Sequence, residues 1–166
     1  MHDELTEIDI QKMQEEIDNR ITLRPQLRAD IQQARELGDL SENDEYRTAR
    51  REKARNDSRI QYLRNMIATA IIIRPDSKAD EIGLFDRISL YVEEDDCEES
   101  YRLVTTLREN ALEGNISKES PLGKAILGHH CGDRIEIRVN PSYSYHVVIK
   151  KIEKGEDDAS LPIASY

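Results

Sequence analysis

Two runs of residues spaced alternately by three and four positions, broken by a short acidic segment, constrain this chain more than any other feature. The first passes through Ile10, Met13, Ile17, Arg20, Arg24, Leu27, Ile31 and Ala34, the second through Tyr46, Ala49, Lys53, Asn56, Ile60, Leu63, Ile67 and Ala70. A 3,4 spacing returns to one face of an α-helix, so each run reads as a coiled-coil seam of about four heptads. Seams joined by so short a break close on each other as antiparallel neighbours. At 1.5 Å per residue, an arm of about 30 residues reaches about 45 Å, long enough to enter a deep channel. Polar residues interrupt both seams, Arg20 and Arg24 in one and Lys53 and Asn56 in the other, so the best packing is expected away from the middle. Pro25 lies inside the first run, where it is expected to kink or divide the helix.

The break itself, Gly38 to Tyr46, carries four carboxylates (Asp39, Glu42, Asp44, Glu45) and no cation. Gly38 can adopt the left-handed conformation that ends a helix. Ser41 can cap the next helix, with Asp44 three residues on in capping-box spacing, which leaves a turn of about four residues with Asp39 and Glu42 at its tip. Two readings of the cluster compete. Acidic residues in a first helical turn complement the helix dipole for about 0.3 to 1 kcal/mol each. Alternatively Asp39 and Glu42 are ligands for Mg2+, an ion commonly held by one or two protein carboxylates together with substrate phosphates. Two carboxylates on a solvated turn bind such an ion weakly, so a partner would have to complete its shell.

A chain of 166 residues makes one domain or two small ones, and a hydrophobic fraction of 37% against 35% charged suits an elongated, well-solvated shape. The net charge of -10 argues against general nucleic-acid binding, yet Arg47, Arg50, Arg51, Lys53, Arg55, Arg59 and Arg64 face only Glu52 and Asp57 in the same stretch. A basic stripe on an acidic protein implies either a particular phosphate contact or a solvated face with intrahelical pairs. Cys97 and Cys131, alone and in unlike contexts, suggest neither a disulfide framework nor a zinc site, and the adjoining His129, His130 and Cys131 read as a surface loop. With a charged N-terminus and no apolar run near the roughly 20 residues of a membrane span, the protein is expected to be cytoplasmic, without a membrane partner, and monomeric.

Beyond Ala70-Ile71-Ile72-Ile73-Arg74-Pro75-Asp76 the period changes to two. Ile88, Leu90 and Val92 alternate with polar residues, as do Tyr101, Leu103 and Thr105, then Ile135, Ile137 and Val139, then Tyr145, Val147 and Ile149. These predict at least four strands of a small antiparallel sheet. Between them Ser120 to Gly128 predicts a short helix, with Ser at its cap, Pro at its first position and Gly at its end. The expected class is therefore α+β: a two-helix hairpin over 1–76, a sheet domain over 81–154, and an acidic tail over 155–166 that is expected to be loosely held.

The segment Leu37-Gly38-Asp39-Leu40-Ser41-Glu42-Asn43-Asp44-Glu45-Tyr46 resembles the signature of the Gre family of bacterial transcript cleavage factors, the GreA and GreB elongation factors. Arg24-Pro25 falls where these have a similar pair, and Gly114-Asn115-Ile116-Ser117, Ser120-Pro121-Leu122-Gly123-Lys124-Ala125 and Gly132-Asp133 match in the second half. The resemblance implies an N-terminal coiled-coil hairpin, a C-terminal domain of FKBP-like fold, and insertion of the hairpin through the secondary channel of RNA polymerase. There Asp39 and Glu42 are expected to help bind the second Mg2+ of the polymerase active site and to position a water, so that the polymerase cleaves the backtracked 3' end of the nascent RNA. The factor would be no enzyme itself and would hold no cofactor of its own. Glu119, Ser120 and Pro121 fall on the surface expected to grip the polymerase, and Arg47, Arg50, Arg51 and Arg55 would contact the RNA.

Three residues depart from the family pattern: Asp44 replaces a small residue and adds a carboxylate beside the metal pair, Glu119 replaces Asn or Asp, and the basic run is dense, as in GreB, behind a GreA-like tip. The subtype is therefore not assigned. The alternative within the same fold is a paralogue that enters the channel and inhibits the polymerase, which intact Asp39 and Glu42 argue against. A prolyl isomerase needs aromatic pocket walls, and this chain has one Phe and no Trp. A plain coiled-coil adaptor leaves the acidic tip without a purpose.

Overall fold

The computed structural model describes residues 2–39 and 43–165. Along the chain these form β1 (Glu4–Leu5), α1 (Glu7–Arg35), α2 (Asp44–Thr69), β2 (Ile71–Ile72), β3 (Arg87–Val92), β4 (Cys97–Val104), two 3-10 turns (Thr106–Arg108 and Ala111–Glu113), β5 (Asn115–Ser117), α3 (Pro121–Ile126), β6 (Arg134–Asn140) and β7 (Tyr143–Glu153). The class is α+β. The chain divides into two compact units, one of residues 10–70 and one that joins residues 1–9 to 71–165.

In the helical unit the seam spacing does what it predicts. No seam position is exposed, and Met13, Ile17 and Ala34 of α1 and Ile60, Leu63 and Met66 of α2 are buried. The middle of the seams holds a hydrogen-bonded polar layer in place of apolar packing. Arg59, 4% exposed, gives Nε and Nη2 to the two carboxylate oxygens of Glu16 at 2.9 and 3.1 Å. Arg20 Nε joins the same carboxylate at 2.7 Å, and Asn56 Nδ2 donates to the Arg20 carbonyl at 3.0 Å. Arg24 and Lys53 share Asp57 at 3.2 and 2.7 Å. Each buried polar group thus has a partner, which makes a polar layer tolerable inside a seam. Of the two expectations for Pro25, division of the first helix does not occur: α1 runs unbroken through it for 29 residues. Pro25 is exposed, so the bond its missing N–H would have made lies on the solvated side, where water can satisfy the freed carbonyl.

The other unit is built on a five-stranded sheet in the order β5-β4-β3-β7-β6. The four strands expected from alternation are β3, β4, β6 and β7, and they pair antiparallel. Ile88, Leu90, Val92, Leu103, Ile135, Ile137, Val147 and Ile149 bury one face against Ile82 and Ile126. The sheet as a whole is mixed and not antiparallel, because β5 joins β4 in parallel. β5 carries no alternation to read: in three residues it buries Asn115 and Ser117 and leaves Ile116 half-covered. A further parallel pair joins β1 to β2, Glu4 opposite Ile71 and Leu5 opposite Ile72.

α1 begins with a capping box in which Thr6 Oγ1 accepts the Asp9 N–H at 3.3 Å and Asp9 Oδ2 accepts the Thr6 N–H at 3.0 Å. Asp9 also receives Arg108 Nε at 2.6 Å, and both side chains are fully buried. The tail is held, contrary to expectation. Residues 155–165 form no strand or helix, but Asp157 pairs with Arg108, the Asp158 carbonyl accepts Arg108 Nη1 at 3.0 Å, and Leu161 packs on the Leu84, Phe85 and Val104 cluster.

Candidate functional site

The segment joining the helices is longer than the sequence suggests. α1 ends at Arg35 and α2 starts at Asp44, so residues 36–43 separate them, with Glu36 and Leu37 continuing α1 by one turn of 3-10 bonds to Gln33 and Ala34. Gly38 then takes φ +126, and a Cβ there would meet nothing, so glycine is required by the backbone angle and not by crowding. Asp39 follows on this segment, exposed. Ser41 and Glu42 lie outside the described residues. The cap of α2 is Asn43 and not Ser41: its Oδ1 accepts the Tyr46 N–H at 3.1 Å, and its Nδ2 donates to the Ala34 carbonyl at 2.7 Å. Sequence reading passed over Asn43 because Ser41 stood in better capping-box spacing, although Asn ranks with Ser at an N-cap.

Around this segment the charges are arranged by α2. Asp44, in the first turn, is almost fully exposed and lies 3.9 Å from Arg47; with Asp30, Glu45 and Glu52 it lines a groove of about 620 Å3 between the helices. The Tyr46 ring lies between two guanidinium groups, Arg35 from α1 and Arg50 from α2, each 5.7 Å from its centroid. Arg35, within bonding reach of the phenol oxygen, lowers the pKa of Tyr46, and Arg50 adds to the effect. Among the described residues no group of three or more His, Cys, Asp or Glu is gathered to hold a metal ion. Asp39 offers hard carboxylate oxygens that suit Mg2+ chemistry, in a number that needs a shell supplied from elsewhere.

The basic stripe is thinner in three dimensions than in one. Arg59 is consumed by Glu16 and Lys53 by Asp57. Arg47, Arg51 and Arg55 fall at i, i+4 and i+8 on one face of α2, all exposed, with Arg50 beside them over Tyr46. Arg51 and Arg55 form no ion pair among the described residues.

In the sheet unit, Glu119, Ser120 and Pro121 separate into inward and outward roles. Ser120 caps α3: its Oγ accepts the Gly123 N–H at 3.0 Å and donates to the Ser117 carbonyl at 2.7 Å, so both of its hydrogen-bonding capacities are used internally. Pro121 opens the helix and is exposed. Glu119 is exposed between Lys124 at 3.2 Å and Lys118 at 3.3 Å, and the bond from Lys124, reinforced by Lys118, holds its pKa below the ordinary carboxylate value. His129 and Asp133 close a turn, Nδ1 to Oδ2 at 3.0 Å. No helix among the described residues is long and apolar enough to cross a membrane.

Comparison with known proteins covers both units. Residues 4–72 match the family described as transcription elongation factor, N-terminal, and residues 76–154 match transcription elongation factor, GreA/GreB, C-term. The chain is 38% identical over 154 residues to the transcription elongation factor GreA of Oenococcus oeni, covering 92% of this chain and 95% of that one. It is 38% identical over 144 residues to GreA of Limosilactobacillus fermentum, covering 86% and 90%. A solved structure of GreA factor homolog 1 (Gfh1) of Thermus thermophilus aligns at 24% identity with a TM-score of 0.42, over 93% of this chain and all of that one. With an acidic loop between two seam-packed helices, a capped Ser-Pro helix on a mixed sheet, and matches that span both halves, this chain belongs to the GreA/GreB family of transcription elongation factors.

Proposed function

We propose that this elongation factor stimulates RNA polymerase to cleave the 3' end of its own backtracked transcript, with Asp39 and Glu42 contributing to the Mg2+ site of the polymerase. The observation that carries the proposal is the composition and placement of the segment between α1 and α2. It carries carboxylates and no cation of its own, and the ends of the helices on either side of it are joined by Asn43. An ion held there would supply Lewis acidity at the oxygens of the transferring phosphoryl group. What the chain would supply is oxygen ligands and acceptors: the carboxylates of Asp39 and Glu42, with Asp44 at the first position of α2, would hold the ion and orient a water for attack. Arg47, Arg50, Arg51 and Arg55 bind phosphates of the extruded RNA, and the outward side of the α3 start, Pro121 and Glu119, contacts the polymerase while Ser120 keeps that surface in shape. The chain acts as a single copy in the cytoplasm, without hydrolytic machinery of its own.

The test uses halted elongation complexes with Mg2+ present. Asp39→Asn combined with Glu42→Gln keeps shape and removes charge, and is expected to reduce stimulated cleavage about 100-fold or more while competition binding to polymerase is unchanged, since charge stabilisation in such a site is worth several kcal/mol. Cleavage at the wild-type rate by the double variant removes both residues from the role. Inhibition of elongation by the wild-type protein, with no shortened RNA, replaces the proposal with the inhibitory paralogue.

A further inference from the structure

The two polar ends of Asn43 do different things. Oδ1 caps α2 through the Tyr46 N–H at 3.1 Å, a service that Ser or Asp performs equally well. Nδ2 crosses the hairpin to the Ala34 carbonyl at 2.7 Å, where the only other described main-chain donor is the Leu37 N–H at a longer 3.3 Å. Ala34 is itself buried at 4% exposure, so the acceptor belongs to the packed part of the seam. One side chain therefore ties the last packed turn of α1 to the first residue before α2, across the loop that carries Asp39. Neither Ser nor Asp has an N–H to make that second bond, and a loop of this length without it has ends fixed only by the helices.

We infer that Asn43 is a positioning residue for the tip carboxylates, acting through its Nδ2 bond to Ala34 and not through its cap. The inference rests on the proposed role of Asp39 and Glu42. Its physical basis is that a ligand carried on a loop must be held within a fraction of an ångström of its working place, and a displacement of about 1 Å costs on the order of 100-fold in rate. A cross-link at the neck of the loop holds its two ends together. The Tyr46 ring between Arg35 and Arg50 adds a looser contact between the same two helix ends.

The full-length Asn43→Ser variant separates the two functions, because Ser retains the cap acceptor, adds no charge and cannot reach Ala34. Three readouts are expected: helix content, melting temperature and half-saturating factor concentration on polymerase unchanged; cleavage rate at saturating factor lowered about ten-fold or more with a raised Mg2+ requirement; and, in the free protein, amide hydrogen exchange faster by about ten-fold at Leu37, Gly38 and Asp39 but not at Tyr46 and Arg47. Wild-type cleavage by Asn43→Ser, or wild-type exchange in the loop, overturns the inference and leaves Asn43 as a cap. Losses of melting temperature and polymerase binding that match the loss of cleavage also overturn it, in favour of a structural role. The Asp39→Asn, Glu42→Gln variant run alongside distinguishes the levels: if it still stimulates cleavage, the metal role and the inference fall together, and if it is inactive while Asn43→Ser is active, only the inference falls.

Discussion

At the scale of single residues, the sheet unit is governed by close backbone approaches that only glycine permits. Gly123, the third residue of α3, is buried, and a Cβ built there would lie 2.1 Å from the Ser117 carbonyl oxygen and 3.0 Å from Lys118 Cα. The obstacles are main-chain atoms, which cannot swing away as a side chain would. Gly→Ala inside a helix ordinarily stabilises by about 1 kcal/mol. Here the sign reverses: Gly123→Ala is expected to destabilise the protein by about 1–3 kcal/mol, as overpacking of a tight core does. Urea denaturation checks it, and a stabilised variant would mean that the turn between Ser117 and Ser120 moves freely. The same turn presents Pro121 and Glu119, so the glycine serves the proposed polymerase contact by setting how closely α3 sits on β5. Ser120 belongs to this inner set too, which makes its replacement a folding change as well as a surface one.

At the scale of elements, the polar layer inside the hairpin gives the seam a register and a pH dependence. An apolar seam repeated over four heptads can slip by one heptad at modest cost, whereas Arg59 meets Glu16 and Asn56 meets the Arg20 carbonyl across the hairpin in one alignment only, the role best attested for polar groups in coiled coils. For Glu16, burial pushes the pKa up, but the bonds from Arg59 and Arg20 and their charges outweigh it, and the net direction is down. A folded-state pKa below the unfolded value means that the stabilisation is present above the ordinary Glu pKa of about 4.3 and is lost as pH falls through the lowered one. Glu16→Gln in the full chain is therefore expected to melt earlier than wild type by an amount that is constant above about pH 5, corresponding to about 1.5–3 kcal/mol for a bond to a charged group, and to converge with wild type in stronger acid. Thermal melts followed by helix ellipticity from pH 2 to 8 measure the difference. A gap that persists undiminished at the acid end would assign the loss to packing instead.

At the scale of the whole molecule, the two ends of the chain meet at Arg108. Its guanidinium takes Asp9 and Thr6 from the N-terminal segment at 2.6 and 3.1 Å, Asp157 and the Asp158 carbonyl from the tail, and sits 4.9 Å over the Phe85 ring. Phe85 holds φ +70, a conformation that costs a bulky residue about 1–3 kcal/mol and persists where the surroundings over-determine it. Those surroundings include the tail: Leu161 packs on its cluster, and the Gly155 backbone lies so near Phe85 O that a Cβ would come within 2.1 Å. Deleting residues 156–166 leaves a fully buried cation with one carboxylate fewer and uncovers an aromatic ring. The expected cost is about 3–5 kcal/mol, the range for breaking a buried ion pair, read as a lowered urea midpoint; a truncated chain as stable as the intact one would show the tail contacts to be incidental. The tail read as loosely held in sequence because its partner, Arg108, lies about 50 residues away in the chain.

The sequence by itself determined what depends on neighbours a few positions apart. The 3,4 spacing dictated the helices and which of their faces would be covered, since 3.6 residues make a turn whatever the rest of the chain does. Alternation gave four strands for the same reason, and Ser120-Pro121 gave the start of α3. The acidic loop was legible because its charge pattern is local, and the two-part family signature extended that reading to a function. What only the tertiary structure decided depends on partners far apart in the chain. Asn43 displaced Ser41 as the cap because Ala34 offers its amide a second bond across the hairpin, so the connection is longer and its neck tied. β5 follows no period of its own and is a strand only because β4 presents a free edge to it. Arg59 and Lys53 left the basic stripe because Glu16 and Asp57 stand beside them in the folded hairpin. A residue's spacing is written in the chain, but the partner that satisfies its charge or hydrogen bond is chosen only when folding excludes water from the space between them.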